Sequence, residues 1–242
     1  MLRYSLSTAQ LDQFRECGHL GPFDCDAPGI AELPAGVLAA RFPARDDRTE
    51  LSTVAESRIN IGNPHRDIRA VREILEHPSI VQRVAQLLDA REVCYFQSRY
   101  RVKLREVADT VEWHQDVGPR FGGCYPDGRP IPTLTIWISI DGACRADGSV
   151  QVLPGTHTLL LGDWRRGYSA GIEGSGDLRG LDLSAAVALE TAPGQFQVFH
   201  SWIVHISGPN TSNRPRTGLI ARFVRPEDAI DPAIEYFSCR VA

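Results

Sequence analysis

Two histidines and one aspartate in this chain have the residue types that hold a catalytic divalent metal ion. His114 and Asp116 lie two residues apart, and His205 lies far downstream. Alternate side chains of an extended strand point the same way, so one strand could direct both His114 and Asp116 at one ion. Two imidazoles and a carboxylate on one face of ferrous iron leave the opposite face open for a cosubstrate and oxygen. The H-x-D pair alone also recurs by chance, beside structural histidines.

The residues after His205 strengthen this interpretation. Positions 193–224 read as strand, turn, strand, with His205 near the end of the first strand and Arg216 at the start of the second. We expect the two strands to pair as a hairpin through the turn Gly208-Pro209-Asn210, which returns Arg216 to the metal. There its guanidinium could bind a carboxylate in a forked geometry. Arg214 is the rival arginine, and the eleven-residue offset from His205 favours Arg216.

Other histidines compete for the metal. His200 lies five residues before His205, so on a single strand the two side chains face opposite ways and only one can enter the interior. His205 is favoured because Ser207, Asn210 and Arg216 follow it, whereas His200 is not followed by serine, asparagine and arginine at the same distances. A core histidine satisfied by hydrogen bonds is the alternative role for His205. His157, beside a Pro-Gly pair, is expected to make a turn or a supporting hydrogen bond.

The elements that must position these residues comprise a helical first part and a β-rich remainder. Helices are predicted at 8–17, 64–76 and 79–88. Strands are predicted at 93–97, 99–104, 111–116, 133–140, 149–153, 187–189, 195–205 and 217–224. This order predicts a mainly β protein with flanking helices, a double-stranded β-helix or cupin-like jelly roll. We expect one domain over 1–242, with helical support in 1–92, the jelly-roll core in 93–225 and a C-terminal segment in 226–242.

Composition narrows the class of protein. The 242 residues carry a formal net charge of −4 and have a pI near 6.0, which argues against a nucleic-acid partner held by bulk charge. No apolar run is long enough to span a bilayer, and the N-terminal residues form no apolar leader. We therefore expect a cytoplasmic protein with a small-molecule substrate and no membrane partner. The oligomeric state is left open.

Several motifs follow one another along the chain. They are the opening 6–20, the stretch 77–97, Trp113-His-Gln-Asp116, Gly148 to His157, and the cluster His205, Ser207, Asn210 and Arg216. Together they resemble the phytanoyl-CoA dioxygenase (PhyH) family, whose members are iron(II)- and 2-oxoglutarate-dependent oxygenases. The resemblance implies that His114, Asp116 and His205 bind Fe(II), with oxygen as a second cosubstrate. It also implies that Arg216 and Ser207 hold the distal carboxylate of 2-oxoglutarate, with Gln97, Trp137 and Thr135 nearby.

Substrate contacts are harder to assign than the metal ligands. Lys103 is the single lysine beside twenty-five arginines, and its position before His114 would let it steer an anionic ligand. A solvated strand residue is the plainer interpretation. The turn-rich loop 118–130 is a candidate lid or pocket wall, in which Arg120, Tyr125 and Arg129 could meet a polar or anionic substrate.

The resemblance implies hydroxylation of an unactivated C–H bond of a small molecule, with release of succinate and carbon dioxide. The bias toward arginine indicates a bacterium with a GC-rich genome, in which we expect a role in secondary metabolism. Desaturation, cyclisation or epimerisation would follow from the same chemistry. Asp116 occupies the carboxylate position among the ligands and leaves no place there for a halide. A halogenase with Ala or Gly at that position is therefore disfavoured. Two alternatives from other classes are a zinc hydrolase or metal isomerase, and a binding protein without turnover. A zinc hydrolase or metal isomerase gives no reason for Arg216 and Ser207, and the intact ligand triad argues against a binding protein.

Overall fold

Helices brace one side of a large β-sheet. The computed structural model describes residues 2–41, 58–106, 110–118, 121–161, 178 and 180–241. Its α-helices are α1 (Thr8–Cys17), α2 (Leu33–Arg41), α3 (Arg69–Leu75) and α4 (Pro78–Leu87). The predicted first helix is confirmed, since the Ser7 side chain accepts from the Gln10 backbone and Gly18 ends the helix in the left-handed region. The predicted helix at 64–76 is divided into a 3-10 turn, Pro64–Arg66, and α3.

Eleven strands in the described ranges form two antiparallel sheets. They are β1 (His19–Asp24), β2 (Arg58–Gly62), β3 (Glu92–Lys103), β4 (Val111–His114), β5 (Leu134–Ser139), β6 (Val150–Val152), β7 (Val187–Ala188), β8 (Gln195–His200), β9 (His205–Ser207), β10 (Arg216–Val224) and β11 (Phe237–Arg240). The larger sheet has the order β1-β8-β5-β10-β3-β11, with β2 also paired to β3, and the smaller has the order β4-β9-β6-β7. The predicted mainly β, jelly-roll architecture with flanking helices is confirmed.

Alternation of side chains along its strands divides the larger sheet into a helix-packed face and an interior face. On β5, Leu134, Ile136 and Ile138 join the large apolar cluster that contains the helices. Trp137, from the same strand, instead packs against the smaller sheet in a second cluster with Val150. Burying one large apolar side chain contributes roughly 1.5–3 kcal/mol. The alternation therefore fixes which side chains of the larger sheet can face the smaller sheet.

The predicted hairpin between His205 and Arg216 is wrong. β9 pairs with β4 and β6 in the smaller sheet, whereas β10 pairs with β3 and β5 in the larger sheet. The predicted strand 195–205 is likewise two strands in different sheets, divided by a turn in which Ile203 donates to the His200 carbonyl. His200 and His205 are therefore separated by a change of sheet. Strand parity is not what distinguishes them.

Strands of the larger sheet also come from outside the predicted core at 93–225. β1 and β2 lie within 1–92, and β11 lies within 226–242, where it pairs with β3. The N-terminal part is thus more than helical support. The single-domain assignment stays a prediction. Among the described residues, no helix has the length and apolarity needed to cross a membrane.

Candidate metal centre

The three predicted metal ligands converge between the two sheets. His114 and Asp116 come from the end of β4 and just beyond it, and His205 opens β9. Direct pairing of His114 with His205 across β4 and β9 brings the imidazole rings to a centroid distance of 3.9 Å. Ligand atoms of His114, Asp116 and His205 lie within 4.8 Å of one another. Two nitrogens and one carboxylate oxygen at this spacing suit one divalent ion of the ferrous type.

Backbone carbonyls orient both imidazoles. His114 Nδ1 lies 2.7 Å from the Glu112 carbonyl oxygen, and His205 Nδ1 lies 2.9 Å from the Ile203 carbonyl oxygen. A carbonyl only accepts, so each Nδ1 carries the proton and each Nε2 keeps its lone pair for a metal. Burial and the neighbouring His114 lower the pKa of His205 to about 3. His205 is therefore neutral at physiological pH, as a metal ligand must be.

Asp116 is held by an arginine that the sequence analysis did not select. Arg222 Nη2 lies 2.5 Å from Asp116 Oδ2, and Arg222 Nη1 donates to Gln97 Oε1. Burial raises the pKa of Asp116. Arg222 and the two imidazoles lower this pKa by more than burial raises it, so the pKa lies below its ordinary range. Asp116 is thus a carboxylate at neutral pH. Its other oxygen, Oδ1, lies 3.6 Å from His114 Nε2.

Gln115 faces away from the metal ligands, as the alternation predicts. Its side-chain nitrogen donates to the Leu159 carbonyl oxygen at 2.7 Å and to the Trp202 carbonyl oxygen. Its side-chain oxygen accepts from the Leu161 backbone at 2.9 Å. Gln115 therefore anchors residues 159–161 and the turn before β9 behind the metal ligands.

A second polar cluster lies around Ser207, two residues beyond His205. Lys103 Nζ donates to Ser207 Oγ at 2.9 Å and to the Ser207 and Gly208 carbonyl oxygens. The Gly148 carbonyl oxygen accepts from Ser207 Oγ at 3.0 Å and from Arg216 Nη1 at 2.6 Å. The buried Arg216 guanidinium also lies 5.1 Å from the Trp137 ring centroid. Lys103 therefore contacts Ser207 directly, and Arg216 is connected to Ser207 through the shared Gly148 carbonyl oxygen.

Arg216 and Lys103 face each other directly across β10 and β3. Arg214, the rival arginine, is instead bound to Asp147 and to the Asp141 carbonyl oxygen. Its side chain is 42% exposed. Arg214 is therefore bound to the buried Asp147, whereas Arg216 lies beside Ser207, although no hairpin joins β9 to β10.

A cavity of about 460 Å³ opens onto the metal ligands, a size typical of small-molecule sites. The predicted residues Gln97, Thr135, Trp137 and Ser207 line it together with the three metal ligands. Thr135 Oγ1 lies 3.5 Å from Asp116 Oδ2. Arg216 and Lys103 are not among the described lining residues. Arg216 contacts the wall through Trp137, and Lys103 contacts it through Ser207.

The predicted substrate residues are not brought together. Tyr125 donates to Asp228 at 2.7 Å and packs beside Phe96 and Ile131. Arg129 is 72% exposed and pairs with Asp127. Neither residue lines the cavity. Arg120 lies outside the described residues.

Four arginines that the sequence analysis did not select line the cavity. They are Arg66, Arg99, Arg101 and Arg222. Three of them could have been found from the alternation of side chains along a strand, because residues an even number of positions apart face the same side. Arg222 has the parity of Arg216 on β10, and Arg99 and Arg101 have the parity of Gln97 and Lys103 on β3.

Comparison with known proteins assigns the family. The family model described as phytanoyl-CoA dioxygenase (PhyH) matches residues 14–218. The chain belongs to this family. A relative, the phytanoyl-CoA dioxygenase domain-containing protein 1 homolog of Dictyostelium discoideum, is 26% identical over 138 residues, which are 54% of this chain and 46% of that protein. The chain thus matches about half the length of this curated relative.

Solved structures share the fold of this PhyH member. EctD from S. alaskensis, solved with 2-oxoglutarate and 5-hydroxyectoine, has a TM-score of 0.68 at 18% identity, covering 92% of this chain and 77% of EctD. The epimerase SnoN, solved with Fe³⁺, alpha ketoglutarate and nogalamycin RO, has a TM-score of 0.65 at 17% identity, covering 90% of this chain and 82% of SnoN. At these identities the likeness establishes the fold alone.

Proposed function

We propose that this chain is an iron(II)- and 2-oxoglutarate-dependent oxygenase that oxidises a C–H bond of a small molecule. The convergence of two Nε2 atoms and one carboxylate within 4.8 Å carries this proposal. The cavity beside them and membership of the PhyH family support it. When bound, iron with 2-oxoglutarate supplies oxygen activation, with succinate and carbon dioxide as coproducts.

The protein's own residues would hold and orient the reactants. His114, Asp116 and His205 would bind the ion on one face. Arg216 and Ser207 would bind the distal carboxylate of 2-oxoglutarate, because a buried carboxylate needs charged or hydrogen-bonding partners. Trp137 and Thr135 would wall the cosubstrate and exclude water. The chain's contribution to rate would then be orientation of one substrate C–H bond toward the metal.

Hydroxylation is the expected outcome, and desaturation, cyclisation or epimerisation are alternatives on the same site. Similarity to SnoN, an epimerase from nogalamycin biosynthesis, supports a role in secondary metabolism. A zinc hydrolase could use the same three ligands. The buried Arg216 and Lys103 beside Ser207 favour the oxygenase, since these cations suit a diacid cosubstrate.

Succinate formation tests the proposal. Purified protein with Fe(II), ascorbate and 2-oxoglutarate should form succinate slowly alone and faster with its substrate. His114→Ala should abolish this activity. Absence of succinate above a metal-free control, across amino acids, acyl thioesters and polyketide-like compounds, would contradict the proposal.

The role of Arg216 is tested separately. Arg216→Gln should raise the KM for 2-oxoglutarate at least tenfold, because the amide removes a charge from the carboxylate site. Arg214→Gln is the matched control, since Arg214 binds Asp147 and the Asp141 carbonyl oxygen. The KM should change little in the control. Equal KM values for wild type and Arg216→Gln would show that another residue binds the distal carboxylate.

A further inference from the structure

Two arginines on β3 point into the same cavity as the metal ligands. Side chains of β3 alternate, so Tyr100 and Val102 enter the apolar core while Gln97, Arg99 and Arg101 line the cavity. Residues two apart on a strand are separated by roughly 7 Å. Arg99 and Arg101 therefore present two neighbouring, half-buried guanidiniums to one ligand.

The surroundings of this pair are polar on one side and lead to the metal on the other. Asn60 on β2 is paired with Arg101 and also lines the cavity. Ile220 on β10 is paired with Arg99 and lines the cavity between the arginines and the metal ligands. The strand order thus gives the cavity a metal-binding side over β10 and β5, and an arginine-bearing side over β3 and β2.

Arginine is the most frequent charged residue among the described residues that line the cavity. Among its described lining residues, four are arginines and Asp116 is the one acid. Arg222 is bound to Asp116, and Arg66 pairs at the surface with Glu235 at 3.2 Å. A concave surface of one charge concentrates ligands of the opposite charge. The other two, Arg99 and Arg101, lie on β3 two and four residues beyond Gln97.

The carboxylate of 2-oxoglutarate has a separate set of partners in the proposed function. Ser207, Arg216 and Lys103 cluster around Gly148 and Gly208, at the Lys103 end of β3. Gln97, six residues away on β3, is instead joined to Asp116 through Arg222. Arg99 and Arg101 lie between these two clusters along β3, where that strand is paired with β2 on one edge and β10 on the other.

We propose that Arg99 and Arg101 bind an anionic group of the substrate, a carboxylate or a phosphate. This inference rests on the proposed function and names its substrate class as small organic anions. The guanidinium fork suits both anions because it can donate two parallel hydrogen bonds. An anion held there lies roughly 7–13 Å along β3 from Gln97. Several bonds would therefore separate the charged group from the C–H that is oxidised.

Direct binding tests the anion site without turnover. The full chain, loaded with Fe(II) and saturating 2-oxoglutarate under anaerobic conditions, is titrated calorimetrically with hexanoate and hexyl phosphate. Hexanamide and hexanol are the matched neutral probes. We expect at least one anion to bind the wild type, with a Kd at least tenfold lower than that of its neutral match. The better anion then distinguishes a carboxylate from a phosphate.

Variants locate the binding. The double variant Arg99→Gln, Arg101→Gln should weaken anion binding at least tenfold, and Arg101→Lys should retain part of the affinity. Arg69→Gln is the matched control, because Arg69 is an exposed α3 residue paired with Glu73. Circular dichroism and thermal melting verify that each variant is folded. Equal anion affinity in the wild type and the double variant, or no anion binding by the wild type, would overturn the inference.

The two proposals fail in distinguishable ways. Succinate formation by the wild type without added substrate depends on the proposed function and needs no substrate anion. Anion binding that requires Arg99 and Arg101, without any succinate, would retain the anion site and reject the oxygenase. Succinate formation stimulated equally by neutral and anionic probes would retain the oxygenase and overturn the anion site.

Discussion

Arg222 joins the metal ligands to the wall of the cavity. Its guanidinium bridges Asp116 and Gln97 and lies 4.6 Å from the Phe121 ring centroid. Partners that orient a metal-binding carboxylate raise metal affinity, whereas a nearby positive charge repels the ion. Outer-shell partners are typically worth about 10–100-fold in affinity. We therefore expect Arg222 to raise the affinity for Fe(II), because its orientation of Asp116 should outweigh its repulsion of the ion.

Arg222→Gln should weaken Fe(II) binding about tenfold or more, as measured by anaerobic metal titration. Arg222→Lys keeps the charge without the planar fork, so its affinity should lie between those of wild type and Arg222→Gln. Arg225→Gln is the matched control, because Arg225 is bound to Asp228. Tighter Fe(II) binding in Arg222→Gln would mean that repulsion dominates.

The convergence of the three candidate metal ligands could be predicted from sequence, because the H-x-D spacing places His114 and Asp116 on one side of an extended chain. His205 could be chosen because Ser207 and Arg216 follow it at fixed distances in the sequence. Alternation on β5 separates Trp137 from the apolar cluster that contains the helices. The partners of these residues were harder to predict. Nothing in the local sequence distinguishes a hairpin from a crossover between sheets, so the predicted pairing of the His205 and Arg216 strands is wrong. Arg222 was missed because an arginine within an apolar strand has no motif around it.

Short and irregular strands explain most of the remaining differences in fold. β1 contains a glycine and a proline, and its pairing with β8 is interrupted by a register shift. β2 and β11 have five and four residues, too few for periodicity to identify. These strands are stabilised by pairing with β8 and β3, which are remote in sequence. Their positions follow from the assembled sheet, and their local patterns do not specify them.

The turn before β6 depends on Gly148. Its φ is +76°, in the left-handed region, and an added Cβ would collide with the Gly208 carbonyl oxygen. That carbonyl accepts from Lys103, and the Gly148 carbonyl accepts from Ser207 and Arg216. A substitution here would therefore shift the cluster around Ser207.

Gly148→Ala should lower the free energy of unfolding by roughly 1–3 kcal/mol for the backbone conformation, with an additional loss from the collision. Gly128→Ala provides the matched control, since Gly128 has a φ of +85° and nothing within 4 Å of an added Cβ. Urea unfolding of the two variants separates conformational strain from crowding. Equal losses in both would contradict a role for the close contact with Gly208.

Burial of neutral histidines makes the stability of the whole molecule depend on pH. His65 is fully buried, and its Nδ1 lies 2.6 Å from Ser98 Oγ on β3. Its ring meets Tyr95 of β3 and Phe237 of β11 edge-on, at centroid distances of 5.4 and 5.0 Å. Burial, with the positive charges of Arg66 and Arg72, lowers the pKa of His65 to about 4. One imidazole thus links the 3-10 turn before α3 to two strands of the larger sheet.

The sign of the pH effect follows from this lowered pKa. In the unfolded chain a histidine titrates near pH 6.5, so between about pH 6.5 and 4 the unfolded state binds more protons than the folded state. The free energy of unfolding should therefore be highest above pH 6.5 and fall toward pH 4, with His65 contributing up to about 3 kcal/mol of the loss. Burial also lowers the pKa of His200 to about 4, so His65→Gln should reduce this pH dependence without removing it. Urea unfolding at pH 7, 6, 5 and 4 measures the dependence, and identical slopes in wild type and His65→Gln would show that His65 is not kept neutral by the fold.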